Sequence, residues 1–242
     1  MEEAIGFLSQ TGWDTILYAG LFEISILLTI IYAAIWKKSF GVYYTLIFAF
    51  IPLCNLGYVL LSLVETEGEA YLAQKVIYIG GCFLIFFITM AIFDICHIRI
   101  PKWVKVLLLY CCSEMYLTIL TTDFTKIFYR RIMLKEVDGA TVLLKSYGPA
   151  HTVFYIMLGA FFLVGVAAIL YALFAKKNVS NKRSVLLLLT ETICIVTFFG
   201  GKKLSLNFDP TCIAFVLVQL IFLIIIRRIS LFSIRDTVAN QG

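Results

Sequence analysis

AQKVIYIGGCFLIFFITMAIFDIC, residues 73–96, is an apolar run broken only near its ends, at Lys75 and Asp94. Held as a helix at 1.5 Å of rise per residue, it covers about 36 Å, enough to cross the roughly 30 Å of a bilayer's hydrocarbon core. Inside hydrocarbon every backbone N–H and C=O needs a partner within the segment, and a helix supplies one. The stretch therefore reads as a transmembrane helix.

Six further runs of this kind lie on either side of it. The seven spans are approximately 15–35, 42–64, 73–96, 103–122, 151–174, 184–200 and 211–230. Composition agrees: 62% of the residues are hydrophobic and 14% charged, where a soluble domain would be about a quarter charged. Mean hydropathy is +0.97. The fold class is an all-α membrane protein, a seven-transmembrane helix bundle. The start, MEEAIGFLSQTGWD, is acidic and has no basic leader. It is not expected to be a cleaved secretory signal, so the first span serves as its own insertion signal.

Charge sets the orientation. With the N-terminus outside, the inner segments hold Lys37, Lys38, Arg99, Lys102, Lys105, Lys176, Lys177, Lys182, Arg183, Arg227, Arg228 and Arg235, against one acid, Asp236. The outer segments hold 8 basic residues and 10 acids. Excess Lys and Arg in short cytoplasmic loops is the positive-inside pattern, so the C-terminus is inside. The basic balance then belongs to the inner leaflet and is no sign of nucleic-acid binding.

Residues 127–147, IFYRRIMLKEVDGATVLLKSY, place Asp138–Gly139 between two strand-like runs. Asp-Gly in that setting signals a hairpin turn. An extracellular β-hairpin between the fourth and fifth helices is expected, with Pro149 in the first turn of the fifth. It reads either as a lid over the bundle or as a flap that touches a ligand. Tyr147 and His151 stand at this outer mouth.

Counted inward from the outer end of each span, Glu23, Asn55, Glu114, Glu191 and Gln219 lie roughly 12–14 Å deep. They come from five spans, and no Lys or Arg shares their level. Carboxyl groups without a partner in a low dielectric stay protonated and donate hydrogen bonds. Two readings stay open: interhelical hydrogen bonding, or a polar pocket or switch for a cationic or hydrogen-bonding ligand. Pro52 interrupts the second span and frees a carbonyl for a neighbouring polar group. Gly80–Gly81 allows the third span a close approach.

No catalytic motif stands out. There is no HExxH, no nucleotide-binding loop and no Ser-His-Asp set. Only two histidines occur, His97 and His151, neither beside metal-ligand partners in the sequence. No metal site and no cofactor is expected. The seven cysteines lie in or at the ends of spans, with no disulfide framework, and Cys111–Cys112 reads as packing. The run CIAFVLVQLIFLIII (212–226) lacks the lysine that would hold retinal. DRY and NPxxY are missing as well, and no internal repeat of a small transporter is visible.

The order and spacing of five stretches carry a resemblance. They are residues 50–96 with their Pro–Asn–Gly pattern in FIPLCNLGY, HIRIPKWVK (97–105), LTTDFTKIFY (120–129), LKSYGPAHTVFYIM (144–157), and 209–238 from DPTC to RDTV. Together they resemble the N-terminal seven-transmembrane sensor region of bacterial histidine kinases and diguanylate cyclases. The resemblance implies a multi-pass protein of the bacterial inner membrane that senses a small ligand or a physical stimulus. It implies a sensor domain over residues 1–230 and the start of a cytoplasmic signalling linker at 231–242. An output domain or partner kinase would lie beyond. It allows a homodimer, because the family's output domains are dimeric. It implies no catalysis by this segment itself. The alternative reading is a small cation- or proton-coupled transporter using the same acids.

Overall fold

The structure, a computed structural model, describes residues 3–7, 12–38, 40–137, 140–176, 180–201 and 208–239. Seven helices are long and apolar enough to cross a membrane. They are α1 (Trp13–Ile35), α2 (Val42–Ser62), α3 (Glu67–Ile95), α4 (Lys102–Leu120), α6 (Pro149–Leu170), α7 (Asn181–Ile195) and α8 (Thr211–Ala239). A single-turn helix, α5 (Thr122–Thr125), follows α4. α6 continues through a π-helical segment, Tyr171–Lys176, and α7 through another, Val196–Gly200. The protein is a seven-helix membrane bundle.

Local chemistry sets the helix starts. α3 begins earlier than its hydropathy suggests because Thr66 and Glu69 form a capping box. The Thr66 hydroxyl accepts from the Glu69 N–H (3.3 Å), and the Glu69 carboxylate accepts from the Thr66 N–H (3.1 Å). Pro149 opens α6, where its missing N–H has no bond to lose. α8 runs past residue 230 to Ala239. Between Pro210 and Gly242 no proline or glycine interrupts it, so the stretch expected to begin a linker continues the helix.

The spans close a ring in the order α1, α2, α3, α6, α7, α8, with α8 also against α2. α4 stands outside that ring, packed on α3 and touching α6. Buried residues concentrate in α3 and α8. In lipid no hydrophobic force draws helices together, so close packing and hydrogen bonds must do it. Gly80 shows how close α2 and α3 come: a Cβ there would lie 1.7 Å from the Cys54 sulfur. Aromatic pairs fill the remaining space, among them Tyr32–Phe48 at 4.2 Å and Phe50–Phe87 at 5.1 Å between ring centroids.

A sheet lies at one end of the bundle. β2 (Tyr129–Val137) and β3 (Ala140–Tyr147) pair antiparallel, from Tyr129↔Tyr147 to Val137↔Ala140, with an irregularity at Tyr129/Arg131. The Asp138–Gly139 turn itself lies outside the described residues. A third strand, β1 (Glu3–Phe7), pairs antiparallel with β3, giving the order β1-β3-β2. The sequence reading did not anticipate β1. At the opposite end lie Lys37, Lys38 and Arg99 in the connections, and Lys182 and Arg183 in the first turn of α7.

Candidate functional site

Pro52 is the root of the polar seam. A proline at position 52 cannot donate to the carbonyl of Phe48 four residues earlier. Thr29 of α1 takes its place: its hydroxyl lies 2.7 Å from the Phe48 oxygen and 2.9 Å from that of Ser25. Gln219 of α8 donates through Nε2 to the Thr29 hydroxyl (2.9 Å) and to the Ser25 carbonyl (3.0 Å). Asn55 of α2 donates to the Leu21 carbonyl of α1 at 3.5 Å. Three helices thus meet through two amides set one turn apart along α1. Ser25, Asn55 and Gln219 are fully buried. The Asn55 Oδ1 and Gln219 Oε1 acceptors are buried with no hydrogen-bond partner among the described residues.

Glu191 is a second buried polar group, in α7. It is 1% exposed, and neither carboxyl oxygen has a hydrogen-bond partner among the described residues. It fits only because α6 has a glycine opposite. A Cβ on Gly165 would lie 2.7 Å from Glu191 Oε1.

The other two acids of the expected layer are elsewhere. Glu23 and Glu114 are exposed on the outer surfaces of α1 and α4. Glu114 therefore does not face the bundle interior. Shared depth did not mean shared direction: every span has a mid-level residue, and helical phase decides where it points. Of the five candidates, the structure brings Asn55 and Gln219 onto one seam with α1 and buries Glu191 at the α6–α7 contact.

The mouth is built from aromatic rings. Tyr147 stacks on His151 with centroids 3.7 Å apart, and Tyr155 and Phe128 flank the imidazole at 4.9 and 5.3 Å. Tyr129 beside them is fully buried, its hydroxyl 3.1 Å from Gln74 Oε1 and 3.0 Å from the Tyr78 hydroxyl. Its N–H donates to the Thr122 hydroxyl (2.9 Å), and the Ile132 N–H donates to the Tyr71 hydroxyl (3.1 Å). An ion pair between Lys75 and Asp123 ties α3 to α5. These contacts pin β2 onto the start of α3. Burial pushes the phenols of Tyr129 and Tyr147 above their ordinary range, and neighbouring Tyr147 and Tyr155, respectively, add to it.

Ser25, Thr29, Gln74 and Tyr129 were missed from the sequence. Only Thr29 had a signal, the carbonyl that Pro52 releases. Among the described residues no group of three or more His, Cys, Asp or Glu side chains could hold a metal ion.

Comparison with known proteins yields one family. No curated protein matches the chain. The pattern of the family described as the N-terminal 7TM region of histidine kinase matches residues 21–235, from α1 to the far part of α8. The chain has that family's seven spans over almost its whole length and belongs to it: it is a histidine kinase N-terminal seven-transmembrane region.

Proposed function

We propose that this chain is the sensory input domain of a signal-transduction receptor in the bacterial inner membrane. Its N-terminus and sheet face outward, and its C-terminus faces the cytoplasm. The domain would occupy residues 1–230, and α8 beyond it would lead into a cytoplasmic output module. Phosphoryl transfer or other catalysis belongs to that module. The stimulus is a small cationic or hydrogen-bonding ligand that enters by the Tyr147–His151 mouth, under a β-hairpin acting as its flap.

The observation that carries this reading is the anchorage of Gln219. Gln219 of α8, the helix that leads to the output, bonds to α1 at a seam where two buried acceptors have no partner among the described residues. A ligand that binds those acceptors in one packing of α8 and not in another shifts the balance between the packings. The test uses the chain in nanodiscs with ammonium, guanidinium and polyol probes. Thermal shift and hydrogen exchange along α8 are the readouts. A response in wild type that disappears in Asn55→Leu and Gln219→Leu supports the seam. A response retained in both variants removes it.

Glu191 favours a second reading. A buried acid with no hydrogen-bond partner among the described residues suits a proton or cation relay, which would make the chain a small coupled transporter. Proteoliposomes holding a pH dye decide this: cation-driven proton movement that Glu191→Gln abolishes identifies a transporter. Absence of flux leaves the receptor.

A further inference from the structure

Two aromatic walls face each other at the sheet end of the bundle. Tyr18 of α1 stacks on Tyr58 of α2, with ring centroids 5.5 Å apart. Tyr155 of α6 continues the Tyr147–His151 stack, 4.9 Å from the imidazole. α6 stands across the ring of helices from α1. Asp209, two residues before α8, belongs to both walls. Its carboxylate acts through its charge on the phenols of Tyr18 and Tyr58 on one side and of Tyr147 and Tyr155 on the other. Asp14 of α1 adds a second carboxylate in reach of Tyr18.

Two hydrogen bonds fix Asp209. Its N–H donates to the Tyr18 hydroxyl (3.0 Å), and its Oδ1 accepts from the Thr211 N–H at the start of α8 (2.9 Å). Capping α8 thus accounts for one oxygen. Oδ2 has no hydrogen-bond partner among the described residues, and the residue is exposed. A cap also needs no aromatic rings, yet phenols from four elements surround this one. Tyr18 and Tyr58 are buried, whereas Tyr147 and Tyr155 are partly open. The open rings and the free oxygen are therefore the parts that a ligand can touch. Aromatic faces and a carboxylate both attract positive charge. A hard metal ion takes six or more oxygens, far more than stand here. A cation clothed in methyl or methylene groups suits the place better: its carbon lies on the rings and its charge lies by Oδ2.

We propose that Asp209, Tyr147 and Tyr155 form a binding site for an organic ammonium ligand, with Tyr18 holding Asp209 in place. The site is separate from the Asn55–Gln219 seam, and its occupant meets α8 at its first turn. What occupancy does rests on the reading of the chain as a sensory domain; the binding itself does not.

Isothermal titration calorimetry of the chain in nanodiscs tests it, with tetramethylammonium, choline, sodium and the uncharged tert-butyl analogue of choline as probes. The two quaternary ammonium ions should bind, and sodium and the uncharged analogue should not. Asp209→Asn keeps an oxygen for the Thr211 N–H and should weaken binding about tenfold. Tyr155→Leu should weaken it about fivefold, while Tyr155→Phe, which keeps the ring, should change it little. Asn55→Leu should bind like the wild type. No heat from tetramethylammonium, equal binding of the uncharged analogue, or an affinity indifferent to both Asp209→Asn and Tyr155→Leu would each overturn the site. Hydrogen exchange along α8 separates the two readings. Binding that leaves it unchanged keeps the site and removes the sensory role. Exchange that answers the polyol probe but not tetramethylammonium keeps the sensory role and removes the site.

Discussion

Thr29 is one side chain with three jobs: it completes a broken helix, accepts from Gln219, and joins α1 to α2. Thr29→Val should strand the Phe48 carbonyl and one Gln219 donor. The expected loss is about 1–2 kcal/mol, read by unfolding in bicelles. Pro52→Ala restores an N–H four residues after Phe48, so the double variant should recover much of that loss. No recovery would mean that the Thr29 bond is not a substitute for the helix's own. Gly165→Ala makes a parallel case. Its added methyl meets the Glu191 carboxyl, and overpacking of this kind costs about 1–3 kcal/mol. Glu191→Ala removes the obstacle, so the pair should be more stable than Gly165→Ala alone. Equal stability would show that the two side chains do not meet.

Among the elements, the sheet is tied to the bundle through Tyr129. Tyr129→Phe leaves Gln74 Oε1 without its donor, at a cost of about 1–3 kcal/mol, and proteolysis within 129–147 should rise. The sheet should also fail in alkali. The folded phenols of Tyr129 and Tyr147 titrate above their ordinary value near 10. The unfolded chain therefore loses those protons first as pH rises. Stability is full below pH 10 and falls above it. Tyr129→Phe should show a shallower alkaline loss in a thermal-shift series, and an unchanged slope would rule out that phenol.

The seven spans were legible in the sequence because spanning length and apolarity are local properties. Their facing was not. In a soluble bundle the apolar side of a helix is the inner side, but lipid accepts apolar residues too. The sequence of α4 or α1 thus gave no sign that Glu114 and Glu23 point outward. The hairpin was visible through Asp138–Gly139. β1 was not, because its partner lies beyond four spans. Asn55 and Gln219 were found as polar residues in apolar runs, whereas Thr29 and Ser25, ordinary in helices, passed unnoticed.

At the scale of the whole molecule, α8 is a single lever. It runs unbroken from Thr211 past the seam at Gln219 to Ala239, so any rotation at the seam reaches the far end. An alanine inserted after Arg228 would turn everything beyond it by about 100°, whereas seven inserted residues nearly restore the phase. With the chain joined to a cytoplasmic kinase module, the single insertion should scramble the output and the sevenfold one should keep it. Equal effects would mean that α8 transmits no phase.

The pairing of β1 with β3 sets a timetable for biosynthesis. Glu3–Phe7 leaves the ribosome long before Val142–Ser146, the strand it will bond. Four spans must be threaded into the membrane in the meantime. The first strand therefore waits, unpaired, until the middle of the chain arrives to receive it. The sheet is then the last piece of the first half to close, and its closure reports that α1 to α4 have all been inserted the right way round. A bulky fusion ahead of Glu3, harmless to each helix, would be felt at that final step.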